Sequence, residues 1–348
     1  RSGCTTAAAG LSVFTNMRKD AGSFGWKRCF LTEIKEGTGM NYITGIESYT
    51  GKKRTAVTLG KFDGLHRGHQ KLVEKIREYA SKECETVLCA FDMGRESIMT
   101  NRERRAHLEG RIDWLIDCPF TKEFRVMEGE DFIRNILCKT LRCAHVVVGK
   151  DFVFGHGKRG NVEMLRRFSK KYGYTVDVLE KERYGDMVIS STYIRDALAQ
   201  GNVKLAEELL GYPYALTGIV RHGQQLGRTL GFPTMNIEPE EYKILPRYGV
   251  YACRVRVGGK WYNGVGNAGV KPTVTDERRR LFEVYAYGYE GDVYGQEVTA
   301  VFCDFERPEV KFGSVGELKD QVMKDMKYGI DFFAGKSGEK DADSNTGR

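Results

Sequence analysis

The chain changes its hydrophobic pattern once, close to Gly211-Tyr212-Pro213, and this change constrains the fold more than any other feature. Before that point, between residues 54 and 200, apolar strand-like runs alternate with segments of helical period. After it, strand-like runs follow one another, separated by Gly, Pro and Asp. Continuous apolar strands between helices are typical of a parallel, doubly wound sheet, whereas closely spaced strands indicate an antiparallel barrel or sandwich. The sequence therefore predicts an α/β domain followed by an all-β domain.

The first half is expected to contain four strands and four helices. The predicted strands are 54–60, 85–91, 144–149 and 174–180, and the predicted helices are 70–81, 102–116, 131–141 and 162–172. A helical stretch over 196–210 would bridge the domains. The second half contains six strand-like runs, ALTGIVRH, GFPTMNI, GVYACRVRV, KWYNGVGNAG, LFEVYAYGY and QEVTAVFCDF, and then an amphipathic helix over 314–327.

A chain of 348 residues is long enough for two domains with a core each. Regular patterning starts just after Met40, which we expect to be the natural start. The predicted organisation is an unpatterned extension over 1–39, an α/β domain over 40–200, a linker over 201–213, an all-β domain over 214–333 and a disordered tail over 334–348.

Composition excludes several classes of protein. A formal charge of +8, spread along the chain, suits polyphosphate substrates and does not indicate nucleic acid. No apolar run approaches the ~20 residues of a membrane span, and the first residues are poor as a signal peptide. The nine cysteines lack zinc or redox spacing, which favours unpaired thiols in a reducing cytoplasm. The residues leave the oligomeric state open.

The segment GKFDGLHRGH, Gly60 to His69, connects a predicted strand to a predicted helix. The first turn of a helix offers free N–H groups and a positive dipole end, which suits a phosphate. Gly68 would allow close approach of the backbone, and His66 and His69 can donate hydrogen bonds to oxygens that gain charge during phosphoryl or nucleotidyl transfer. The alternative is a pair of histidines at an ordinary turn, and the motif alone leaves both open.

Two further segments of the first half carry candidate site residues. Ile189–Arg195 opens a helix with three hydroxyls, which fit an N-cap, and with Arg195, which the cap does not explain and which favours a phosphate contact. Gly149–Gly155 follows a strand and carries an acid and two aromatic residues. These side chains either bracket a flat ring or pack as an ordinary loop.

The second half has two candidates of its own. Thr234 and Asn236, two residues apart on one predicted strand, offer oxygen ligands to a shared Mg·ATP, although ordinary polar residues at a strand end fit the spacing as well. Alternation places Glu283 on a tyrosine-rich face of its strand, with Phe282, Val284 and Ala286 on the other. Glu283 is either a general base beside aromatic rings or part of a solvated outer face.

GKFDGLHRGH, VVGKDFVFG and SSTYIR, in this order, resemble the adenylyltransferase half of bacterial bifunctional riboflavin kinase/FMN adenylyltransferases (FAD synthetases). GRTLGFPTMN, from Gly227 to Asn236, resembles the flavokinase signature of the same family. The similarity covers roughly Met40 to Phe333. It implies a nucleotidyltransferase α/β domain followed by a six-stranded flavokinase barrel and a C-terminal helix.

The resemblance also implies an activity and a set of site residues. The family phosphorylates riboflavin to FMN and adenylylates FMN to FAD, with ATP and Mg²⁺, releasing pyrophosphate in the second step. His66, His69 and Glu283 match catalytic positions. The resemblance implies contacts to ATP or phosphate from Gly60, Phe62, Asp63, Gly68, Ser191, Thr192, Arg195, Gly227, Thr234 and Asn236, with Thr234 and Asn236 also as metal ligands. Asp151, Phe152 and Phe154 are the implied flavin contacts.

One segment departs from the family. Where the family usually has F-D/E-P-H-P, this chain has Phe91-Asp92-Met93-Gly94-Arg95. The departure keeps two alternatives open: a riboflavin kinase with an impaired adenylyltransferase domain, and a non-catalytic regulator that binds flavin or nucleotide. The retained candidate site residues argue against the regulator: His66, His69, Arg195, Thr234, Asn236 and Glu283.

Overall fold

The computed structural model describes residues 39–92, 94, 96–223, 227, 231–272 and 278–335. The predicted extension over 1–39 and the predicted tail over 334–348 therefore lie almost entirely outside the described residues. Met93 and Arg95 of the departure from the family pattern lie outside them too.

The first domain is built on a six-stranded parallel sheet in the order β1-β4-β3-β2-β5-β8. Its central strands are nearly continuous runs of buried apolar residues, as expected of a sheet covered on both faces. The strands are β1 (Asn41–Thr44), β2 (Arg54–Gly60), β3 (Cys84–Asp92), β4 (Trp114–Pro119), β5 (Cys143–Gly149) and β8 (Thr175–Leu179).

Two short hairpins lie beside this sheet. One pairs β6 (Val153–Phe154) with β7 (Gly160–Asn161), and the other pairs β9 (Arg183–Tyr184) with β10 (Met187–Val188). The second hairpin leads directly into the helix that carries Arg195.

Helices accompany the sheet strands. They are α1 (Arg67–Arg77), α2 (Asn101–Leu108), α3 (Lys122–Val126), α4 (Gly129–Asp131, continuing as the π-helical Phe132–Thr140) and α5 (Val162–Tyr172). α2 begins with a capping box in which Thr100 and Glu103 satisfy each other's backbone N–H groups.

The predicted helix over 102–116 is wrong in its second half. α2 ends at Leu108, Gly110 adopts a left-handed φ of 71°, and the chain then enters β4. The apolar residues of WLIDCP pack inside the sheet, so helical periodicity was extended over a buried strand. The short edge strand β1 was missed as well, and the sheet therefore has six strands where the sequence predicted four.

The second domain is a closed antiparallel barrel in the order β11-β12-β15-β14-β13-β16. This confirms the predicted barrel of six strands. The strands are β11 (Ala215–Arg221), β12 (Met235–Pro239), β13 (Gly249–Val257), β14 (Lys260–Pro272), β15 (Arg278–Ala286) and β16 (Glu297–Pro308). The C-terminal helix α8 (Val315–Phe333), capped by Ser314, packs on β13 and β14.

The stretch between the sheet and the barrel is helical. α6 (Ser191–Ala199) and α7 (Val203–Leu210) contact each other, and their apolar residues share one core with the barrel interior. Val203, Ala206 and Leu209 are buried, so the segment predicted as a linker is packed along most of its length. No helix in the described part of the chain is both long and apolar enough to cross a membrane.

Candidate active sites in the two domains

The turn between β2 and α1 has an unusual backbone. Phe62, Gly64 and Leu65 have positive φ angles of 46°, 81° and 40°, a region that bulky L-residues rarely enter. Phe62 and Leu65 are fully buried, and Tyr212 donates a hydrogen bond from its hydroxyl to the Gly64 carbonyl. Surrounding packing therefore holds a strained conformation at the turn that carries both histidines, as is common at functional sites.

The two histidine side chains are stacked on each other. The ring centroids of His66 and His69 are 3.6 Å apart with an interplanar angle of 18°, and the ring of Phe62 lies 5.1 Å from that of His69. His66 is the N-cap of α1, where its Nδ1 accepts from the His69 N–H at 3.3 Å. A Cβ on Gly68 would lie 3.3 Å from the His66 ring, so the glycine makes room for this imidazole.

Burial decides the charge of both rings. It lowers the pKa of His66 to about 4 and the pKa of His69 well below its usual value, with His66 and Arg104 adding to the effect at His69. Both imidazoles are neutral at pH 7. Since Nδ1 of His66 accepts a hydrogen bond, its proton resides on Nε2, which is a donor without a net charge.

Asp63 brings the two phosphate motifs of the first domain together. Its carboxylate pairs with the guanidinium of Arg195, and its carbonyl accepts from the Ser191 hydroxyl at 2.9 Å. Ser191 and Arg195 follow Asp63 by 128 and 132 positions in the sequence, respectively. Gly60 lies at the start of the same turn, where a Cβ would lie 3.3 Å from the Phe62 ring.

The helix that follows β10 is capped by a single hydroxyl. Ser190 accepts from the Tyr193 N–H at 3.2 Å, whereas Ser191 bonds to Asp63 and Thr192 is exposed. The N-cap interpretation therefore accounts for one of the three hydroxyls. The other two lie in the first turn of α6, beside Arg195.

The loop after β5 is packed more tightly than a ring-binding slot requires. Phe154 is buried against Phe132, and the rings of Phe152 and Phe154 stack with their centroids 5.6 Å apart. Because the two rings contact each other, they do not bracket a third, which favours the packed loop of the two alternatives. Asp151 is exposed and forms an ion pair with Lys181 at 2.8 Å. Only the half-buried Phe152 presents an aromatic surface to solvent.

In the barrel, Thr234 precedes β12 and Asn236 lies within it, next to Glu283 on β15. The Thr234 hydroxyl donates to Glu283 Oε1 at 2.7 Å. Thr234 and Asn236 line a cavity of about 240 Å³, and residues 289–294 line it as well. The barrel thus has a hollow of mixed polar and apolar lining, and one of its lining residues, Thr234, is hydrogen-bonded to Glu283.

Alternation is as predicted up to Ala286, where β15 ends. Phe282, Val284 and Ala286 are buried in the barrel core, so Glu283 and Tyr285 lie on the outer face. That face is not freely solvated, since Glu283 and Tyr285 are only partly exposed and Tyr287 donates to the Met326 carbonyl of α8. Glu283 therefore lies in a partly covered surface rather than on an open one.

The donor set of the barrel site fits Mg²⁺. Thr234 and Asn236 supply a hydroxyl and an amide oxygen, which are hard oxygen ligands. Two glycines leave space around them: a Cβ on Gly227 would lie 3.2 Å from Thr234 Oγ1, and one on Gly223 would lie 2.4 Å from Asn236 Nδ2. Among the described residues, no group of three or more His, Cys, Asp and Glu side chains could hold a metal ion.

The structure adds one residue that sequence reasoning missed. Glu182, just before β9, pairs with Arg67 at 2.9 Å and also with Lys71, and its Cβ would lie 3.6 Å from a Cβ on Gly68. It fixes the start of α1 against the segment that leads to Arg195. No local pattern marks Glu182, because its partners are more than 100 residues away.

The fold and the two sites define a class of protein: a nucleotidyltransferase-type α/β domain joined to a flavokinase-type barrel. Family models agree, since "FAD synthetase" matches residues 49–193 and "Riboflavin kinase" matches residues 210–333. The chain belongs to the family of bifunctional riboflavin kinase/FMN adenylyltransferases. This confirms the assignment made from the motifs.

Individual relatives support the same assignment. The bifunctional riboflavin kinase/FMN adenylyltransferase of Escherichia coli K12 is 36% identical over 309 residues, covering 84% of this chain and 98% of the relative. That of Haemophilus influenzae is 37% identical over 291 residues, covering 80% and 94%. A crystal structure described as a macrolide-efflux protein from Streptococcus pneumoniae matches 82% of this chain with a TM-score of 0.73 and 29% identity. That description applies to the pneumococcal protein.

Proposed function

We propose that this chain phosphorylates riboflavin to FMN in its barrel and adenylylates FMN to FAD in its α/β domain, using ATP and Mg²⁺ in both steps. The observation that carries the proposal is the presence of both family domains in one chain that aligns with 98% of the E. coli relative. Riboflavin, FMN and ATP are the substrates, and FAD and pyrophosphate are the final products.

For adenylyl transfer, the protein supplies positioning and charge stabilisation rather than a nucleophile. The phosphate of FMN attacks the α-phosphorus of ATP, and pyrophosphate leaves. His66 Nε2–H and the free N–H groups at the start of α1 donate to phosphate oxygens, and Arg195 adds the positive charge that the neutral imidazoles lack. Gly60, Phe62, Asp63, Gly68, Ser191 and Thr192 shape this site.

For riboflavin phosphorylation, Glu283 accepts the proton of the ribityl 5′-hydroxyl as that oxygen attacks the γ-phosphorus of ATP, and ADP leaves. Thr234 and Asn236 would hold Mg²⁺, which neutralises phosphate charge when bound. Gly227 shapes the same pocket. The Thr234–Glu283 hydrogen bond supports this division of roles, because it joins the ligand and the base at one place.

The FMN site of the first domain includes Asp151, Phe152 and Phe154 in this proposal. The half-buried ring of Phe152 stacks on the isoalloxazine, while the buried Phe154 supports Phe152 from below. Asp151 contacts a polar edge of the flavin, and its ion pair with Lys181 is broken when it does so.

We further propose that the enzyme works in the cytoplasm on small molecules, without nucleic acid or membrane partners. All seven cysteines among the described residues are unpaired, which suits a reducing compartment. The basic residues are distributed along the chain rather than gathered in one run.

The test uses the purified full chain with riboflavin, ATP and Mg²⁺, followed by chromatographic separation of flavins. FMN should form first and FAD after it, and FAD should also form from supplied FMN. FMN without FAD would overturn the second activity, and the absence of both products would overturn the whole proposal.

A further inference from the structure

A lysine of the barrel is buried against the first domain. Lys243, on the connection from β12 to β13, has 2% of its surface exposed. Its Nζ donates to Glu103 Oε2 at 2.7 Å and to the Ile98 carbonyl at 2.8 Å, and lies 4.6 Å from the centre of the Tyr214 ring. A buried ammonium is tolerated only with such partners. Two of them, Glu103 and Ile98, belong to the other domain.

The backbone on either side of Lys243 is paired with the same segment of the first domain. The Ser97 N–H donates to the Tyr242 carbonyl at 2.7 Å, and the Ile244 N–H donates to the Ser97 carbonyl at 3.0 Å. Ser97 and Lys243 form a parallel bridge. Ser97, which precedes α2, is therefore held in place by the barrel.

The next residue, Ile98, connects this contact to the adenylyltransferase site through a hydrogen bond to Asp63. The Ile98 N–H donates to Asp63 Oδ1 at 2.8 Å, and the other carboxylate oxygen of Asp63 pairs with Arg195. The Ile98 residue is thus fixed at its carbonyl by Lys243 and orients Asp63 through its N–H. Asp63 in turn orients Arg195, the cationic group assigned to phosphate.

Glu103 makes the contact specific to one arrangement. One oxygen of its carboxylate accepts from Lys243 and from the Thr100 N–H at 3.0 Å, and the other accepts from the Thr217 N–H of β11 at 3.2 Å. Because this side chain caps a helix of one domain and binds a strand of the other, the two domains have little freedom to slide past each other. Lys243 does not line the barrel cavity.

We infer that Lys243, although it belongs to the kinase domain, is a positioning residue for adenylyl transfer, acting through Ile98 and Asp63 on Arg195. The inference rests on the proposed function. It assigns to the barrel a part in the chemistry of the other domain.

The experiment replaces Lys243 by Met in the full chain and measures both activities in one preparation. We expect kcat/KM for FAD formation from FMN and ATP to fall about tenfold or more, with an increase in KM for ATP, because phosphate contacts are lost. FMN formation from riboflavin should stay within about twofold and reports that the barrel is folded. Lys260→Met, an exposed lysine at the hairpin between β13 and β14, is the matched control and should change neither rate.

Equal loss of both activities, or no loss of FAD formation, would overturn the inference. If the Met variant does not fold, Lys243→Arg decides, since it keeps a charge and several donors: any loss must then fall on FAD formation alone, and a proportional loss of both activities contradicts the idea. Failure of the proposed function is distinguishable, because the unmodified chain would then make no FAD.

Discussion

The hydroxyl of Thr234 and the carboxylate of Glu283 are joined by a hydrogen bond of 2.7 Å, across 49 residues of sequence. Asn236 lies directly opposite Glu283 in the register of β12 and β15. The oxygen ligands proposed for the cation and the proposed base therefore occupy adjacent strands of one small patch.

Glu283→Gln keeps the size of this side chain and an oxygen that can accept from Thr234, but removes the base. General-base contributions of about 10²–10⁴-fold in rate are typical, and we expect kcat for FMN formation to fall within that range. FAD formation from supplied FMN should remain within about twofold. Initial rates measured by flavin chromatography with each substrate separately provide the check, and parallel loss of both rates would exclude Glu283 as a base specific to the kinase.

Gly223→Ala tests the proposed cation site without touching a ligand. The added methyl group would lie 2.4 Å from Asn236 Nδ2, so the amide must move. We expect the Mg²⁺ concentration for half-maximal FMN formation to rise several-fold, and FAD formation to keep its Mg²⁺ dependence. Gly316→Ala is the control, because its Cβ would meet only Ser314 Oγ at 3.8 Å. An unchanged Mg²⁺ titration in the Gly223 variant would remove Asn236 from the cation site.

His66→Ala removes both the cap of α1 and a donor to phosphate. Loss of one positioned donor at a site of developing charge costs about 10²–10³-fold in kcat, which is the decrease expected for FAD formation. FMN formation from riboflavin should be unaffected. His145→Asn, a change in the same domain at a ring that bonds Thr175 at 2.8 Å, is the control and should preserve both rates.

His69→Ala should also lower FAD formation and leave FMN formation unaffected, although it removes a packed ring rather than the cap of α1. The His69 Nδ1 is buried and has no hydrogen-bond partner among the described residues, and its ring is packed between Phe62 and His66. Comparison of the two variants by circular dichroism separates loss of the cap from loss of the ring. A His69 variant with full FAD formation would assign this ring to packing alone.

Local sequence patterns were sufficient for most of the architecture. β2, β5, α5 and the barrel strands appear close to their predicted bounds, because each has a clear period and turn residues at its ends. β4 was predicted as part of a helix because Trp114-Leu115-Ile116 can continue a helical pattern. Only the burial of these residues on both faces of the sheet distinguishes β4 as a strand. β1 is four residues long, too short to show a period.

The sites divide in the same way. The motifs identified His66, Arg195, Thr234 and Glu283, but the pairs that link them arise from tertiary contacts between residues far apart in the chain. The stacking of Phe152 on Phe154 likewise depends on how the loop packs against Phe132, which alternation alone does not specify. The sequence motifs thus identified the candidate site residues, whereas the hydrogen-bond, ion-pair and ring partners of these residues depend on tertiary packing.

Buried histidines also predict how stability changes with pH. Burial lowers the pKa of His107, packed against Tyr212, from 6.5 to about 4, and that of His66 equally. Between pH 6.5 and 4 the unfolded chain binds protons that the folded chain does not, so stability falls as the pH is lowered through this window. Each such histidine should cost about 2 kcal/mol of unfolding free energy between pH 7 and pH 5.

His107→Leu removes one of these titrations while keeping an apolar side chain at the same place. We expect the variant to lose about 2 kcal/mol less than the unmodified chain on acidification from pH 7 to pH 5, whatever its stability at pH 7. Urea unfolding at the two pH values gives this difference directly, provided that the m-value stays constant. If both proteins lose the same free energy, His107 is protonated in the folded chain, and burial does not hold it neutral.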